Sequence, residues 1–247
     1  MAGDNVMSEV DGVKVHSNNV DVTSWRPLSL TFVEYPKGDL VGYVLAWYSL
    51  LPIFILVGFG TLIVFRRDLH TMFYLCGILL NEVSNWILKH SIQELRPHQR
   101  GCLTTEFGMP SSHAQFMWFF STYLSFCLFI RFHHNNTWLD NAWKYATCTG
   151  SILITACVCY SRVYLQYHTY SQVCWGAVIG VILGSIWFLI VNVVITPVFP
   201  ALASCGLGEL LLIRDTSLIP NILWFEYTSA RTEARSRQRK LVSRKTQ

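Results

Sequence analysis

Five apolar runs dominate this chain, each close to the ~20 residues that a helix needs to cross a bilayer. They are read as Leu40–Phe65, Thr71–Leu88, Ala114–Ile130, Trp143–Tyr160 and Val173–Ile195. Polar groups close them in turn: Arg66-Arg67-Asp68, Lys89, Arg131, Ser161-Arg162 and Thr196-Pro197. The expected fold is therefore all-α, a polytopic membrane helical bundle of about five spans. Composition agrees, because 52% of the residues are hydrophobic and only 14% are charged, against roughly 25% charged in a soluble domain. A weaker stretch, Val198–Ile213, is broken by Pro200, Gly206, Gly208 and Glu209. It is expected to be an interfacial or re-entrant piece, with a sixth span as the alternative.

Three regions follow: an N-terminal segment over 1–37, a membrane domain over 38–213, and a tail over 214–247 that becomes strongly basic from Arg231 to Lys245. The first thirty residues lack the apolar core of a cleavable signal. Eight cysteines fall mostly inside apolar runs with no paired CxxC spacing, and are read as small core hydrophobes. Short cytosolic loops favour Lys and Arg. Arg66-Arg67, the Arg131–Lys144 loop and the tail would share one side, which is read as cytosolic. Lys89, Arg96, Arg100 and Arg162 then lie on the other side, against the rule, as a site for an anionic substrate would require. On this orientation the Asn135-Asn136-Thr137 sequon stays unmodified in the cytosol.

Those exceptional cations belong to three polar clusters at span ends. In the first, Lys89 closes the second run and Arg96-Pro97 follows seven residues later. Proline disfavours helix at the residue before it, so the chain should turn at Leu95 and let both cations converge on one anion. Arginine offers a planar fork to two phosphate oxygens and lysine a point charge. In the second, Pro110-Ser111-Ser112-His113 precedes the third run. A capping serine, first-turn amides and the positive dipole end make an anion site. In the third, Ser161-Arg162 is followed by His168, a side chain suited to exchanging protons or accepting a phosphoryl group. Each cluster alone has a plainer reading, as snorkelling cations, a capped helix or an interfacial histidine. Their placement on one side favours a single phosphate site.

These residues resemble the type 2 phosphatidic acid phosphatase superfamily, whose pattern is Lys-x6-Arg-Pro, Pro-Ser-x-His and Ser-Arg-x5-His-x3-Asp. Lys89, Arg96 and Pro97 match the first element; Pro110, Ser111 and His113 the second; Ser161, Arg162 and His168 the third. The resemblance covers roughly residues 70–195 and implies a haloperoxidase-like helical core. One position departs: the closing Asp is Gln172. A glutamine carbonyl accepts a hydrogen bond but supplies no full negative charge. Glu82, Glu94 or Glu106 are candidates to compensate, and Glu82, Asn85 and Lys89 share one helical stripe. Further segments resemble the branch of the superfamily that acts on dolichyl diphosphate: His168-Thr169 with Gln172, Gly108-Met109, residues 212–221, Trp224-Phe225-Glu226-Tyr227, Ser24-Trp25-Arg26-Pro27 and Val33-Glu34-Tyr35-Pro36.

The resemblance implies a hydrolase of the endoplasmic-reticulum membrane, multi-pass, with its site in the lumen. It would convert dolichyl diphosphate to dolichyl phosphate and so recycle the carrier for protein N-glycosylation. His168 would be the nucleophile and His113 the acid, then base. Arg162, Lys89, Arg96 and the Ser111-Ser112 amides would hold the phosphoryl group, and Gln172 would assist His168. No cofactor or metal is expected, since Lys and Arg supply positive charge and His133-His134 with Asp140 lie on the other side. Expected partners are the dolichyl diphosphate substrate and membrane lipids, with no nucleic acid. Trp86, Trp118, Phe119 and Trp175 are candidates to flank the lipid path. Competing readings are another lipid phosphate phosphatase of the superfamily, or a catalytically weak binding or scaffold relative.

Overall fold

The computed structural model describes residues 25–27, 33–97, 107–131, 138–219 and 221–245. Two short strands, β1 (Trp25–Pro27) and β2 (Glu34–Pro36), pair antiparallel with Arg26 opposite Tyr35. Asp39 then caps α1 (Leu40–Tyr48), its carboxylate accepting the Val41 N–H at 3.0 Å. The expected first span is two helices in succession. Pro52, at the start of α2 (Leu51–Arg66), has no N–H to donate back to the preceding turn, so the chain breaks step at Ser49-Leu50. Asp68 caps α3 (Leu69–Ile92) through the Thr71 N–H at 3.1 Å. Helix α4 (Ser112–Phe126) widens into a π-helical turn over Cys127–Arg131. After α5 (Trp138–Tyr164), α6 (Tyr170–Leu189) continues as a π-helical turn over Ile190–Ile195 and a 3-10 turn over Thr196–Val198. All five expected spans are therefore helical.

Three helical stretches are both long and apolar enough to cross a membrane: Leu40–Arg66, Asn141–Tyr164 and Tyr170–Ser204. The other two, α3 and α4, carry much of the interior of the bundle. Ala114, Gln115, Phe116, Met117, Phe119, Ser121 and Tyr123 of α4 are all buried, sheltered by α3, α5 and α6 rather than by lipid. At 24 residues, α3 is about 36 Å long. Aromatic rings fill the α3–α4 contact. Tyr74 stacks on Tyr123 at 4.1 Å between centroids and donates its hydroxyl to the Phe120 carbonyl at 2.6 Å.

The seam between α4 and α6 is built differently. Gly176, Gly180 and Gly184 recur every fourth residue on α6 and face the α4 backbone. A Cβ on Gly180 would stand 2.4 Å from the Gln115 carbonyl oxygen, and one on Gly176 would stand 2.7 Å from that of Ser111. Small residues at this spacing let membrane helices approach backbone to backbone. Because both helices begin at the same end, they run parallel.

The C-terminal region departs from expectation in one respect and agrees in another. The stretch after residue 198 forms no sixth span: α7 (Phe199–Ser204) and α8 (Gly206–Leu210) are six and five residues long, at most ~9 Å each. Phe199 is fully buried and stacks on Phe73. Arg214 then laces the chain back onto the bundle, donating its N–H to the Arg67 carbonyl and accepting that of Leu69. The tail, expected as a basic extension with no secondary structure assigned, carries a helix, α9 (Ile222–Lys245), whose Glu226 pairs with Arg66. The sequon at Asn135, His133-His134, Arg100, Cys102 and Glu106 lie outside the described residues. The seven described cysteines are free thiols.

Candidate active site

Each site residue sits where a helix starts or stops at one end of the bundle. Lys89 is in the last turn of α3. Gln93 ends that helix in a left-handed conformation, φ 55°, and swings Glu94–Pro97 across the end of the bundle. An isolated antiparallel bridge joins Leu95 to Phe107, and the Gly108 N–H donates to the Glu94 carbonyl at 2.7 Å. Ser111 is the residue before α4, and Ser112-His113 open it. Its hydroxyl makes no capping bond, contrary to the expected cap. It is buried with no hydrogen-bond partner among the described residues, as is the Nε of Arg162. Buried donors of this kind are rare unless something outside the protein fills them.

Arg162 closes α5, its guanidinium lying 4.2 Å from the centroid of the Tyr167 ring. Its carbonyl accepts two N–H groups, from Tyr167 at 3.0 Å and from His168 at 3.2 Å. The backbone of the histidine is thus pinned to that of the arginine. Tyr167 is held from behind: its hydroxyl accepts the Glu34 N–H at 2.9 Å, so β2 braces the α5–α6 loop.

Thr169 caps α6 and forms a reciprocal capping box with Gln172. Both residues were visible as Thr-x-x-Gln, the signature of this motif. Gln172 is fully buried and does three further things. Its Oε1 faces His168 Nδ1 at 3.2 Å, its Nε2 donates to Glu94 Oε1 at 2.8 Å, and the same nitrogen donates to the Leu95 carbonyl at 3.1 Å. Its own carbonyl accepts the Ser111 N–H at 3.1 Å. Gly108 packs on its carboxamide so closely that a Cβ would lie 2.8 Å from Nε2. Among the described candidates for support, Glu94 is the one in contact; Glu106 lies outside the described residues. Glu82 lies instead in the field of Lys89.

The predicted residues come together. His113 lies in the electrostatic field of Arg162, His168, Lys89 and Arg96, and His168 in that of Arg162, Arg96 and Lys89. His168, only 2% exposed, has its pKa held well below the ordinary imidazole value. Burial contributes most, followed by Arg162 and then Arg96. Its ring is therefore neutral near pH 7. If Nδ1 carries the proton and donates to Gln172, Nε2 presents a free lone pair. Sequence reasoning missed the buried network beneath the site, in which Asn85 Nδ2 donates to Gln115 Oε1 at 2.8 Å and to the Pro110 carbonyl at 3.3 Å. Gln115 Nε2 in turn donates to Asn81 Oδ1 at 3.0 Å. Beside Pro110, an apolar crevice of about 240 Å³ is lined by Ile92, Met109, Pro110, Trp175 and Ile179.

Lys89, Arg96, His113, Arg162 and His168 thus share one electrostatic neighbourhood at one end of the bundle. The family model of the PAP2 superfamily matches residues 70–195. The chain belongs to the PAP2 superfamily. Among PAP2 relatives, it is 53% identical to Dolichyldiphosphatase 1 of Mus musculus over 88% of this chain and 93% of that one. It is 41% identical to Lipid phosphate phosphatase gamma of Arabidopsis thaliana, over 83% and 91%. It is 32% identical to Dolichyldiphosphatase of Saccharomyces cerevisiae, over 68% and 71%. No solved structure matches at a significant level.

Proposed function

We propose that this PAP2 protein removes the terminal phosphate of dolichyl diphosphate, through a phosphohistidine on His168 and without a metal. The observation that carries the reading is the pairing of two histidines in the field of the same three cations, Lys89, Arg96 and Arg162, one histidine facing a buried amide at 3.2 Å. Lys89, Arg96, Arg162 and the amides of Ser111-Ser112 hold the terminal phosphoryl group, where fixed donors stabilise charge on its equatorial oxygens. Nε2 of His168 attacks phosphorus as the bridging P–O bond breaks. His113 gives its proton to the departing dolichyl phosphate; a diphosphate bound beside it favours the charged imidazolium that this step needs. In the second step His113 takes a proton from water, the resulting hydroxide attacks phosphorus, the P–N bond breaks and inorganic phosphate leaves. The names of the animal and yeast relatives support the substrate, and the crevice beside Pro110 gives the first isoprene units an apolar wall.

The site is placed in the endoplasmic-reticulum lumen, where the reaction would return the carrier for N-glycosylation. Arg66, Arg67, Arg131 and the basic α9 lie at the opposite end of the bundle, and short cytosolic segments favour such charges. A glycan on Asn135 would overturn this orientation. For the chemistry, purified protein is given dolichyl diphosphate, dolichyl phosphate and phosphatidate in parallel. Release from the diphosphate is expected to dominate and to vanish in His168→Ala. Preference for monophosphates would instead favour a broader lipid phosphatase, the reading that the Arabidopsis relative's name suggests. Near-normal turnover in His168→Ala would sink the mechanism.

A further inference from the structure

Gln172 occupies the position where the superfamily pattern has a carboxylate, and it alone cannot supply the negative charge that a phosphorylated imidazole requires. The contacts around its side chain show where that charge comes from. Its oxygen also accepts the Thr169 N–H at 3.3 Å, and its nitrogen donates to the Leu95 carbonyl. An N–H can only donate and a carbonyl can only accept, so the amide has one orientation: oxygen towards His168, nitrogen towards Glu94. The Glu94 carboxylate accepts from that nitrogen at 2.8 Å.

We propose that Glu94 is a positioning residue that supplies, through the Gln172 amide, the negative charge behind His168. The proposal rests on the assignment of His168 as nucleophile. As the Nε2–P bond forms and the bridging P–O bond breaks, the imidazole becomes cationic and its Nδ1–H a stronger donor. A carboxylate bonded to the far side of the amide polarises the carbonyl towards that proton, since hydrogen bonds in a chain strengthen one another. The arrangement divides the task of one aspartate between two residues. The one near the ring is neutral, so no bare carboxylate is buried among Arg162, Arg96 and Lys89. The partner carrying the charge lies at the exposed rim, where its hydration is largely kept. Three features hold the relay in place: the Gly108 N–H on the Glu94 backbone carbonyl, the Leu95–Phe107 bridge, and the absence of a Cβ at Gly108, which would collide with the Gln172 amide.

The test uses the full chain in lipid nanodiscs with dolichyl diphosphate, comparing wild type, E94Q, Q172E, the double variant E94Q/Q172E and H168A. E94Q keeps the shape and removes the charge. Its kcat should fall about ten- to thirtyfold, the effect of one charge roughly 8 Å away at an effective dielectric near 20. KM should stay within about twofold, because the phosphate-binding cations are untouched, and the melting temperature should stay near that of wild type. Q172E alone places two carboxylates side by side and should also be impaired. The double variant moves the charge next to His168 and lets the new amide at position 94 donate to it, so it should be faster than either single variant. E94Q with wild-type kcat, or a double variant no faster than the faster of the two single ones, overturns the relay. A wild-type protein that releases no phosphate, or an unimpaired H168A, overturns the functional reading and the relay with it. Loss of kcat in H168A alone leaves the first standing and the second refuted.

Discussion

Consider Gly180→Ala, which adds one methyl group about two turns from the nearest site residue. That methyl would stand 2.4 Å from the Gln115 carbonyl oxygen, about 1 Å short of ordinary contact, with the Phe119 nitrogen and Trp118 Cβ each at 3.1 Å. The obstacle is backbone within a helix, so α6 itself must move. Helix α6 carries Gln172, which faces His168, while α4 carries His113 and follows directly on Ser111, and the two are joined by the Ser111 N–H to the Gln172 carbonyl. Opening the seam by about 1 Å separates the two halves of the site. Overpacking of this kind costs about 1–3 kcal/mol of stability. A 1 Å misplacement of reacting groups can lower turnover by about a hundredfold. The expected result is a lowered melting temperature, with kcat for phosphate release falling between tenfold and a hundredfold. Gly150→Ala on α5 is the control, since a Cβ there meets nothing within 4 Å; it should be neutral or slightly stabilising, given alanine's higher helix propensity. Gly180→Ala with wild-type rate and melting temperature would refute the argument that backbone contact at this seam sets the site.

Two further outcomes follow from the same geometry. Because burial and Arg162 depress the pKa of His168, the proposed nucleophile stays neutral below the ordinary imidazole value of about 6.5. The acid limb of kcat/KM should therefore be centred below that pH, and a His168 limb at or above it would contradict the assignment. The stability linkage has the same sign, since the unfolded chain binds the proton more readily. The contribution is complete above about pH 6.5 and is lost as pH falls towards the folded value. Asn85→Leu leaves Gln115 Oε1 and the Pro110 carbonyl without their donor, and should lower stability by about 1–3 kcal/mol. Thermal unfolding in detergent measures it, and an unchanged midpoint would show that the network is dispensable.

Much of this was legible because membrane spans and motif residues are marked by composition. Apolar length gave all five helices, and Lys89, Arg96, Pro110-Ser111-Ser112-His113 and Ser161-Arg162 with His168 each lay at a span end, where the fold could only bring them to a bundle face. Features set by contact across the chain were harder to read. Pro52 splits the first span at a position that hydropathy averages over. The Gly176, Gly180, Gly184 spacing was present in the sequence and would have predicted a close helix seam, but nothing local says which helix fills it. Glu94 stood among three candidate carboxylates; the turn at Gln93 and the bridge from Leu95 to Phe107 are what bring it, rather than Glu82, to the Gln172 amide. The tail read as a basic extension because Lys and Arg crowd its last stretch from Arg231 to Lys245, whereas helix is favoured locally by its Glu, Arg, Ala and Lys content and pairs such as Glu233 with Arg237, four residues on.

The parallel course of α4 and α6 has a thermodynamic side. Neighbouring antiparallel helices offset each other's macrodipoles, but here two positive ends lie together, beside Lys89, Arg96 and Arg162. An excess of positive potential at one end of a bundle disfavours the empty folded state and favours any state in which an anion sits there. Phosphate, a product of the proposed reaction, would then also be, by linkage, a ligand that stabilises the fold. Bound at a hundred times its dissociation constant, it would add about 2.7 kcal/mol. The same surplus that would grip a substrate would make the protein sturdier when occupied than when free.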